Sequence, residues 1–196
     1  MDSQMNSVVS EYLLQSSEVM RELSESLHVK QLIVDVAVVC FKALQSGKKI
    51  LFIGNGGSAA DCQHMAGEYV SKFAFDRPGL PAIALTTDTS VLTAIGNDYG
   101  YEQLFSRQLR ALGGSGDILF AYTTSGKSVN VLSAIRLAKE MGIKTVLMSG
   151  NSKDAQAISA DFKIMVPSES TPHIQEGHVV LGHAICLLVE SLYFGK

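Results

Sequence analysis

The chain has 196 residues, the size of a single domain, and its 46% apolar and 18% charged residues exclude an intrinsically disordered protein. Its 16 lysines and arginines against 19 aspartates and glutamates give a net charge of -3, which argues against nucleic acid as the main partner. The N-terminus has no basic segment before Arg21, and the most apolar stretch, 179–189, is shorter than the roughly 20 residues of a membrane span. Cys40, Cys62 and Cys186 form no C-x-x-C pair, so we expect reduced thiols in a cytoplasmic protein without a membrane span.

The first 47 residues are predicted to form a helical arm. Neither glycine nor proline occurs before Gly47, and apolar residues recur at helical spacing over 7–27 and again over 32–44. An apolar helix face needs a surface to cover it. We therefore expect the arm, residues 1–47, to pack on the rest of the chain or on another subunit.

Residues 48–196 alternate short apolar runs with longer segments of helical period. Each short run is nearly continuous in apolar character, as parallel strands are when both faces of the sheet are buried. The predicted strands are 49–53, 82–85, 117–122, 144–148 and 162–166, and the predicted helices are 58–75, 90–112 with a break near Gly100, 128–141, 153–159 and 172–194. This alternation predicts one domain over 1–196, an α/β fold with a doubly wound, five-stranded parallel sheet. The ligand of such a sheet binds beyond the carboxyl ends of the strands.

Two strand-to-helix loops have the residues of a phosphate site. The first, 54–58, reads G-N-G-G-S, whose glycines let the backbone approach a ligand while the next helix offers free N–H groups. It is not the G-x-G-x-x-G pattern, because Ala59 replaces the third glycine. A tight turn with Ser58 as the N-cap of the helix explains the same residues equally well.

The second loop, 123–128, reads T-T-S-G-K-S, and its four hydroxyls can surround a phosphate group. Lys127 completes the G-K-[ST] ending of a nucleotide-binding P-loop, but Ala121 stands where that motif requires its first glycine. A phosphorylated small molecule is therefore favoured over a nucleoside triphosphate. Hydroxyls that serve only as helix caps are the alternative.

Histidines and carboxylates give the candidates for catalysis and metal binding. His64 and Glu68 lie four residues apart on one helix face, where they can bind a metal or divide acid and base roles, although such pairs also occur on ordinary helix surfaces. His183 lies in an apolar stretch and also fits a hydrogen-bonded core histidine. Gln175 is an unusual ligand, and on an ideal helix it lies about 12 Å from His183 along the axis. One ion could receive both only from different subunits or from a helix that begins irregularly.

Together these segments resemble the sedoheptulose 7-phosphate isomerases, or phosphoheptose isomerases, of the sugar isomerase (SIS) family. The resemblance rests on G-N-G-G-S-A-A-D at 54–61, Q-H at 63–64, G-E at 67–68, A-L-T-T-D at 84–88, A-I-G-N-D-Y-G at 94–100, T-S-G-K-S at 124–128, and I-Q-E-x-H at 174–178 with the later His183. It covers nearly the whole chain and implies a flavodoxin-like SIS fold.

The resemblance also implies the residues of the active site. The sugar phosphate would contact Asn55, Gly56, Gly57, Ser58, Asn97, Asp98, Thr123, Thr124, Ser125 and Ser128, together with Glu68 and Gln175. One zinc ion per subunit would bind His64, Glu68, Gln175 and His183. Members of the family are homotetramers with active sites at subunit interfaces, which agrees with the distance between Gln175 and His183 along the helix.

The implied reaction converts sedoheptulose 7-phosphate into D-glycero-D-manno-heptose 7-phosphate, for the heptose of lipopolysaccharide or capsule. Moving a carbonyl from C2 to C1 requires a base that removes the adjacent proton and positive charge near the developing enediolate. By this resemblance Glu68 would be the base and His183 the second acid–base group. Zinc would polarise the carbonyl oxygens and stabilise the enediolate.

Two residues depart from the family pattern. His173 stands where relatives often have arginine or lysine, which would make an anion contact there pH-dependent, and Thr123 replaces the usual serine. Three other functions stay open: a non-catalytic SIS module of the replication-initiator-associating type, another phosphosugar isomerase or sugar-phosphate sensor without zinc, and an ATP-binding protein dependent on Lys127. The complete set of candidate zinc ligands favours the isomerase.

Overall fold

The computed structural model describes residues 2–195, which form eight α-helices, one 3₁₀ turn and five β-strands. The helices are α1 Asp2–Glu25, α2 Leu27–Gln45, α3 Gly57–Val70, α4 Thr89–Tyr99, α5 Leu104–Leu112, α6 Val129–Glu140, α7 Lys153–Ala157 and α8 Thr171–Phe194, and the 3₁₀ turn is Tyr101–Gln103. The strands are β1 Ile50–Ile53, β2 Ala82–Ala84, β3 Ile118–Thr123, β4 Lys144–Gly150 and β5 Phe162–Val166. All five predicted strands are confirmed, with ends that differ by at most two residues.

The strands form one parallel sheet in the order β2-β1-β3-β4-β5. Phe52 of β1 lies opposite Ala84 of β2 on one side and Phe120 of β3 on the other. The chain therefore winds in one direction from β1 to β2 and in the other from β3 onward. A switch of this kind leaves a crevice at the carboxyl ends of the two central strands. The loops after β1 and β3, both predicted to hold phosphate, flank that crevice.

Alternate residues of each strand enter two hydrophobic cores on opposite faces of the sheet. Ile50 and Phe52 pack with the buried residues of α1, α2, α3 and α8, whereas Leu51 and Ile53 pack with those of α4, α5 and α6. Since side chains of a strand alternate between faces, a continuous apolar run is what a sheet covered on both sides requires. The doubly wound α/β fold is confirmed.

The arm consists of two helices that differ in how much of their surface is covered. Ser26 separates them, because its side chain accepts a hydrogen bond from the Val29 N–H at 3.2 Å and so begins α2. α2 buries Val36, Ala37 and Cys40 against the core, in contact with α8. α1 contacts α8 through Tyr12 and Ser16 but leaves six large apolar side chains at least 42% exposed: Met5, Val8, Val9, Tyr12, Leu13 and Leu14.

One predicted helix ends well before its predicted bound, whereas the other predicted helices of residues 48–196 agree within two residues. The predicted helix 58–75 ends at Val70. The Arg77 guanidinium donates hydrogen bonds to the carbonyl oxygens of Glu68 and Tyr69, which a further helical turn would otherwise use. The predicted helix 90–112 is broken near Gly100, as expected: this residue has a φ of 86° and ends α4 before the 3₁₀ turn.

α8 is the central helix of one core. By length and hydropathy alone it could cross a membrane, but core helices of soluble proteins also pass that test, and 44% of its most apolar window is buried inside this fold. Cys40, Cys62 and Cys186 are free, buried thiols of the same core, as predicted. Burial raises the pKa of the Cys186 thiol to about 12.

Candidate active site

The loop after β1 begins the site. Gly56 is the N-cap of α3 and has a φ of 57°, in the left-handed region that favours glycine. The prediction that Ser58 is the N-cap is wrong: the helix starts one residue earlier, and Ser58 is buried within its first turn. A Cβ at Gly57 would displace the side-chain amide of Gln175, so the two residues lie in contact. Gly57 and Gln175 therefore form one wall.

Asn55 of the same loop is held from two sides. Its Nδ2 donates to Asn130 Oδ1 at 2.8 Å, and its Oδ1 accepts from Asn130 Nδ2 and from the Tyr101 hydroxyl, each at 2.9 Å. Asn130 is buried on α6 and Tyr101 begins the 3₁₀ turn. These bonds connect the loops after β1 and β3 across the crevice. Neither Asn130 nor Tyr101 was predicted, because each is far from Asn55 in sequence and lies in no recognisable motif.

The loop after β3 is held by its own hydroxyls. The Thr123 hydroxyl lies 3.1 Å from the Ser128 hydroxyl and accepts the Gly126 N–H at 3.2 Å, and Ser125 Oγ accepts the Lys127 N–H at 3.2 Å. Ser128 is the N-cap of α6, but its hydroxyl bonds no N–H of that helix. The Val131 N–H donates to Asn130 Oδ1 at 2.9 Å, but the N–H groups of Val129 and Asn130 and the partial positive charge of the first turn remain for an anion. Capping alone does not account for Ser128.

A cavity of about 270 Å³ lies beside this loop. It is bordered by Thr124, Ser125 and Lys127 on one side and by Ser152, Asp154, Ser168, Glu169 and Thr171 on the other. The hydroxyls of Thr124 and Thr171 are 3.5 Å apart, so the N-termini of α6 and α8 both border the cavity. Lys127 is largely exposed and its Nζ lies 3.3 Å from Asp154. That pairing, and Ala121 inside β3, do not fit a P-loop.

Three donors converge on the faces of α3 and α8 that meet. His64 Nε2 lies 2.9 Å from Glu68 Oε1 and 3.0 Å from His183 Nε2, and the donor atoms of all three residues lie within 4.8 Å of one another. α3 supplies the i, i+4 pair, as its spacing predicted. α8 supplies His183 from 119 residues further along the chain. We call His64, Glu68 and His183 the helix-pair cluster.

The helix-pair cluster fits a metal ion better than a hydrogen-bonded group. Each neutral imidazole nitrogen either carries one hydrogen or accepts one, so His64 Nε2 cannot satisfy both the Glu68 carboxylate and His183 Nε2. A cation between the two imidazole nitrogens and the carboxylate oxygen would bind the lone pairs of all three atoms. Two imidazole nitrogens and one carboxylate are a ligand set that Zn²⁺ accepts. The residues described here can therefore hold a divalent metal, and the interpretation of His183 as an ordinary core histidine is not favoured.

Three other predicted site residues lie outside this cluster. Gln175 is beside Gly57, two turns of α8 before His183, and α8 is helical from Thr171 onward. An irregular helix start therefore does not bring Gln175 and His183 together. Asn97 and Asp98 lie at the exposed end of α4, where Asn97 Nδ2 donates to Asp98 Oδ1 at 2.7 Å.

His173 does not occupy the position that an anion contact needs. Its ring is 3% exposed, packs 4.6 Å from the Tyr12 ring, and places Nδ1 3.0 Å from Glu176 Oε2. A buried imidazole that faces a carboxylate cannot also reach a phosphate in the loop after β3. The expected pH-dependent anion contact at His173 is therefore corrected: this residue connects α8 to the arm.

Two titratable groups near the site were not predicted. Asp61 lies one turn before His64 on α3; burial raises its pKa to about 6, against the opposing effect of His64. His178 is fully buried on α8, edge-on to the Tyr122 ring at 5.3 Å, and burial lowers its pKa to about 4, against a weaker contact with the Ser149 backbone. Burial is the decisive property of both residues, and it cannot be read from the sequence.

Comparisons with known proteins show the family of the chain. Residues 11–150 match the family model described as "SIS domain". A phosphoheptose isomerase of Burkholderia pseudomallei is 61% identical over 161 residues, which cover 82% of each chain, and one of Aneurinibacillus thermoaerophilus is 51% identical over 97% of this chain and 96% of its own. The chain belongs to the phosphoheptose isomerases of the SIS family. A solved phosphoheptose isomerase from Neisseria gonorrhoeae, 39% identical, superposes with a TM-score of 0.86 over 95% of this chain and 99% of its own.

Membership of the phosphoheptose isomerase family identifies the chain as an isomerase. It is therefore an enzyme rather than the non-catalytic protein-binding module considered above. The five-stranded parallel sheet and the N-terminal helix are those of the SIS fold. Within this phosphoheptose isomerase, the helix-pair cluster and the two loops at the switch point are the regions where chemistry and binding can be placed.

Proposed function

We propose that this isomerase converts sedoheptulose 7-phosphate into D-glycero-D-manno-heptose 7-phosphate, in the cytoplasm, for lipopolysaccharide or capsule. The convergence of His64, Glu68 and His183 beside a phosphate-type loop carries this proposal. The substrate has its phosphate at C7 and its reacting carbons at C1 and C2. It therefore needs an anion site and an acid–base site at separate places. The loop after β3 would supply the first and the helix-pair cluster the second. His64 follows Gly57 by seven residues, so the cluster lies about 10 Å along α3 from the loop after β1.

The phosphate would bind the loop after β3. Thr124, Ser125 and Ser128 would offer hydroxyls there, while the buried Thr123 would hold the loop, and the N-terminus of α6 adds a partial positive charge. The sugar would then extend along the loop after β1, past Asn55, Gly56, Gly57 and Ser58, with the Gln175 amide opposite Gly57. By the family resemblance, Asn97 and Asp98 would also contact the substrate.

Glu68 and His183 would move the protons. The Glu68 carboxylate would remove the proton from C1 of the ketose and return it to C2, which balances the exchange of ketone for aldehyde. His183 would donate a proton to the oxygen at C2 and accept one from the oxygen at C1. Both groups lie in the same cluster, so a substrate positioned there would meet base and acid at once.

The metal proposed for the cluster is zinc, held by His64, Glu68 and His183. When bound, zinc would act as a Lewis acid toward the substrate oxygens. Because Gln175 and His183 lie on one regular helix, a Gln175 ligand would have to come from a second subunit. The exposed apolar residues of α1 support the accompanying proposal of a homotetramer with shared active sites.

The decisive experiment follows the isomerisation of sedoheptulose 7-phosphate by NMR with the protein as purified, after chelation, and after zinc is restored. We expect turnover that is lost on chelation and regained with zinc. No turnover in any sample would contradict the proposed substrate, and turnover that survives complete chelation would contradict the role of zinc. Light scattering should give four times the 21.0 kDa chain mass, and a Val9→Glu/Leu13→Glu variant should lower it.

A further inference from the structure

The helix-pair cluster depends on the relative placement of two helices. His64 and Glu68 lie on α3 and His183 lies on α8, and α3 ends only two residues after Glu68. Any change in how the two helix ends are joined would therefore move the donor atoms relative to one another. The structure contains a specific connection at this point, formed by Arg77 and Glu190.

Arg77 closes the C-terminal end of α3. Its Nη2 donates to the Glu68 carbonyl oxygen at 2.7 Å, and its Nη1 donates to the carbonyl oxygens of Tyr69 at 2.6 Å and Ser71 at 3.1 Å. The last carbonyl groups of a helix have no partner within it, and a glycine in the left-handed conformation usually supplies the cap. Here Ser71 follows the helix and the guanidinium takes that role, directly on the backbone of Glu68.

Glu190 binds the same segment from α8. Its Oε1 accepts from Arg77 Nε at 2.7 Å and from the Phe73 N–H at 2.9 Å, and its Oε2 accepts from the Ala74 N–H at 2.7 Å. The side chains of Arg77 and Glu190 are 3% and 1% exposed. Burial raises the pKa of the Glu190 carboxyl, but these donors outweigh it, so the pKa lies below its usual value and the group is ionised.

The segment held by Glu190 also contacts His183. The Phe73 ring packs on the His183 imidazole, with ring centroids 5.3 Å apart and planes inclined by 40°. Glu190 follows His183 by seven residues, two turns of α8, so both residues lie on the same face of that helix. One buried ion pair therefore reaches the backbone of Glu68 on one helix and the ring of His183 on the other.

We propose that Arg77 and Glu190 are positioning residues that hold Glu68 and His183 at the separation required for metal binding and proton transfer. This proposal rests on the proposed function of the cluster. The ion pair touches neither the substrate nor the metal. It acts through the Glu68 carbonyl, through the Phe73 ring and through the fixed spacing of α3 and α8.

A matched pair of variants separates positioning from general stability. Glu190→Gln removes a buried carboxylate that accepts two backbone N–H groups and pairs with a cation. Asp117→Asn does the same just before β3, away from α3 and α8, where Asp117 accepts the N–H groups of Lys49 and Gly114 and its Oδ2 lies 2.7 Å from Lys49 Nζ. Both variants should lower the unfolding temperature.

Only Glu190→Gln should change the site. We expect its affinity for cobalt(II), titrated into the metal-free protein, and its kcat to fall about 10–100-fold, as for groups that orient metal ligands, with KM little changed. Asp117→Asn should stay within about twofold of the unmodified protein in both. Equal effects of the two variants on metal affinity, or an effect of Glu190→Gln on stability alone, would overturn the proposal.

Two further measurements keep the test independent of folding and of the proposed function. If Glu190→Gln fails to fold, Arg77→Met/Glu190→Leu replaces the pair by apolar side chains and should show the same loss of cobalt affinity. The ¹H NMR shift of the His183 ring reports the nearby Phe73 ring without metal or substrate. If the unmodified protein neither isomerises the substrate nor binds cobalt, the proposed function is wrong, and an unchanged His183 shift in the variant would reject the positioning role separately.

Discussion

The two halves of the active site are built in opposite ways. The loop after β3 makes its contacts within six residues, where the hydroxyls of Thr123 and Ser128 meet each other and bind the intervening backbone. The helix-pair cluster joins two histidines that are 119 positions apart in sequence, and His64 Nε2 cannot satisfy both of its neighbours with hydrogen bonds. A loop that is held by contacts within itself keeps its shape even when the neighbouring strand and helix shift. The cluster exists only while α3 and α8 keep their spacing, so distant changes should affect chemistry before they affect phosphate binding.

The largest effect is expected at the cluster itself. Glu68→Gln removes the proposed base while keeping the size of the side chain, and kcat should fall about 10²–10⁴-fold even at saturating zinc. NMR turnover of sedoheptulose 7-phosphate measures this effect. Glu140→Gln, at the exposed end of α6, is the control and should retain full activity. Activity of Glu68→Gln close to that of the control would remove Glu68 from the mechanism.

His178, buried on α8 against Tyr122, should affect stability through pH. Its buried ring has a pKa of about 4, below the unfolded value near 6.5, so the unfolded chain binds the proton first and the folded state loses stability as pH falls. From pH 7 to pH 4 the loss is about 3 kcal/mol. Chemical denaturation from pH 7 to pH 4 should therefore show a smaller loss of unfolding free energy for His178→Gln than for the unmodified protein. Parallel curves for the two proteins would contradict the assignment, since the carboxylates titrate in both.

The phosphate loop should respond in KM rather than in kcat. Ser128→Ala removes a hydroxyl that caps no helix N–H, and a hydrogen bond to a charged group contributes about 1.5–3 kcal/mol, so KM should rise about tenfold or more. Steady-state kinetics and a zinc assay test this, with bound zinc expected to be unchanged. Ser133→Ala, on the same helix at a surface cavity, is the matched control. A fall in kcat at constant KM would show that the halves are not separable.

The smallest effect is expected where the arm meets α8. The Tyr12 hydroxyl donates to Glu176 Oε1 at 2.7 Å on a partly exposed surface. Tyr12→Phe should lower the free energy of unfolding slightly, because water competes for this exposed bond, and chemical denaturation measures the change. Tyr193→Phe, whose hydroxyl has no hydrogen-bond partner within residues 2–195, should change it less. An equal effect of both variants would mean that the Tyr12 bond does not fix the arm.

The sequence predicted the sheet well because parallel strands buried on both sides are apolar without interruption. It also predicted the loops, since glycines and hydroxyls at strand ends form local motifs. It failed at the C-terminal end of α3. The helix predicted to reach residue 75 stops at Val70, because the Arg77 guanidinium captures its last carbonyl groups from seven residues further on. A side chain that caps a helix from outside leaves no periodic signal.

The cluster could be predicted only in part. The spacing of His64 and Glu68 gives a shared helix face, but nothing in the residues near His183 says which helix it meets. The family resemblance supplied that partner before the structure placed the two Nε2 atoms 3.0 Å apart. His173 shows the reverse error: its sequence position suggested an anion contact, whereas packing against Tyr12 and Glu176 turns its ring toward the arm.

The three buried thiols can report when the hydrophobic core that contains them opens. Cys40, Cys62 and Cys186 all lie in the core between α2, α3, α8 and the sheet, and burial raises the pKa of each, so neither access nor ionisation permits alkylation in the native state. A thiol reagent can label them only when that core opens. The rate of labelling would therefore count openings of the layer that carries the helix-pair cluster, without any added probe.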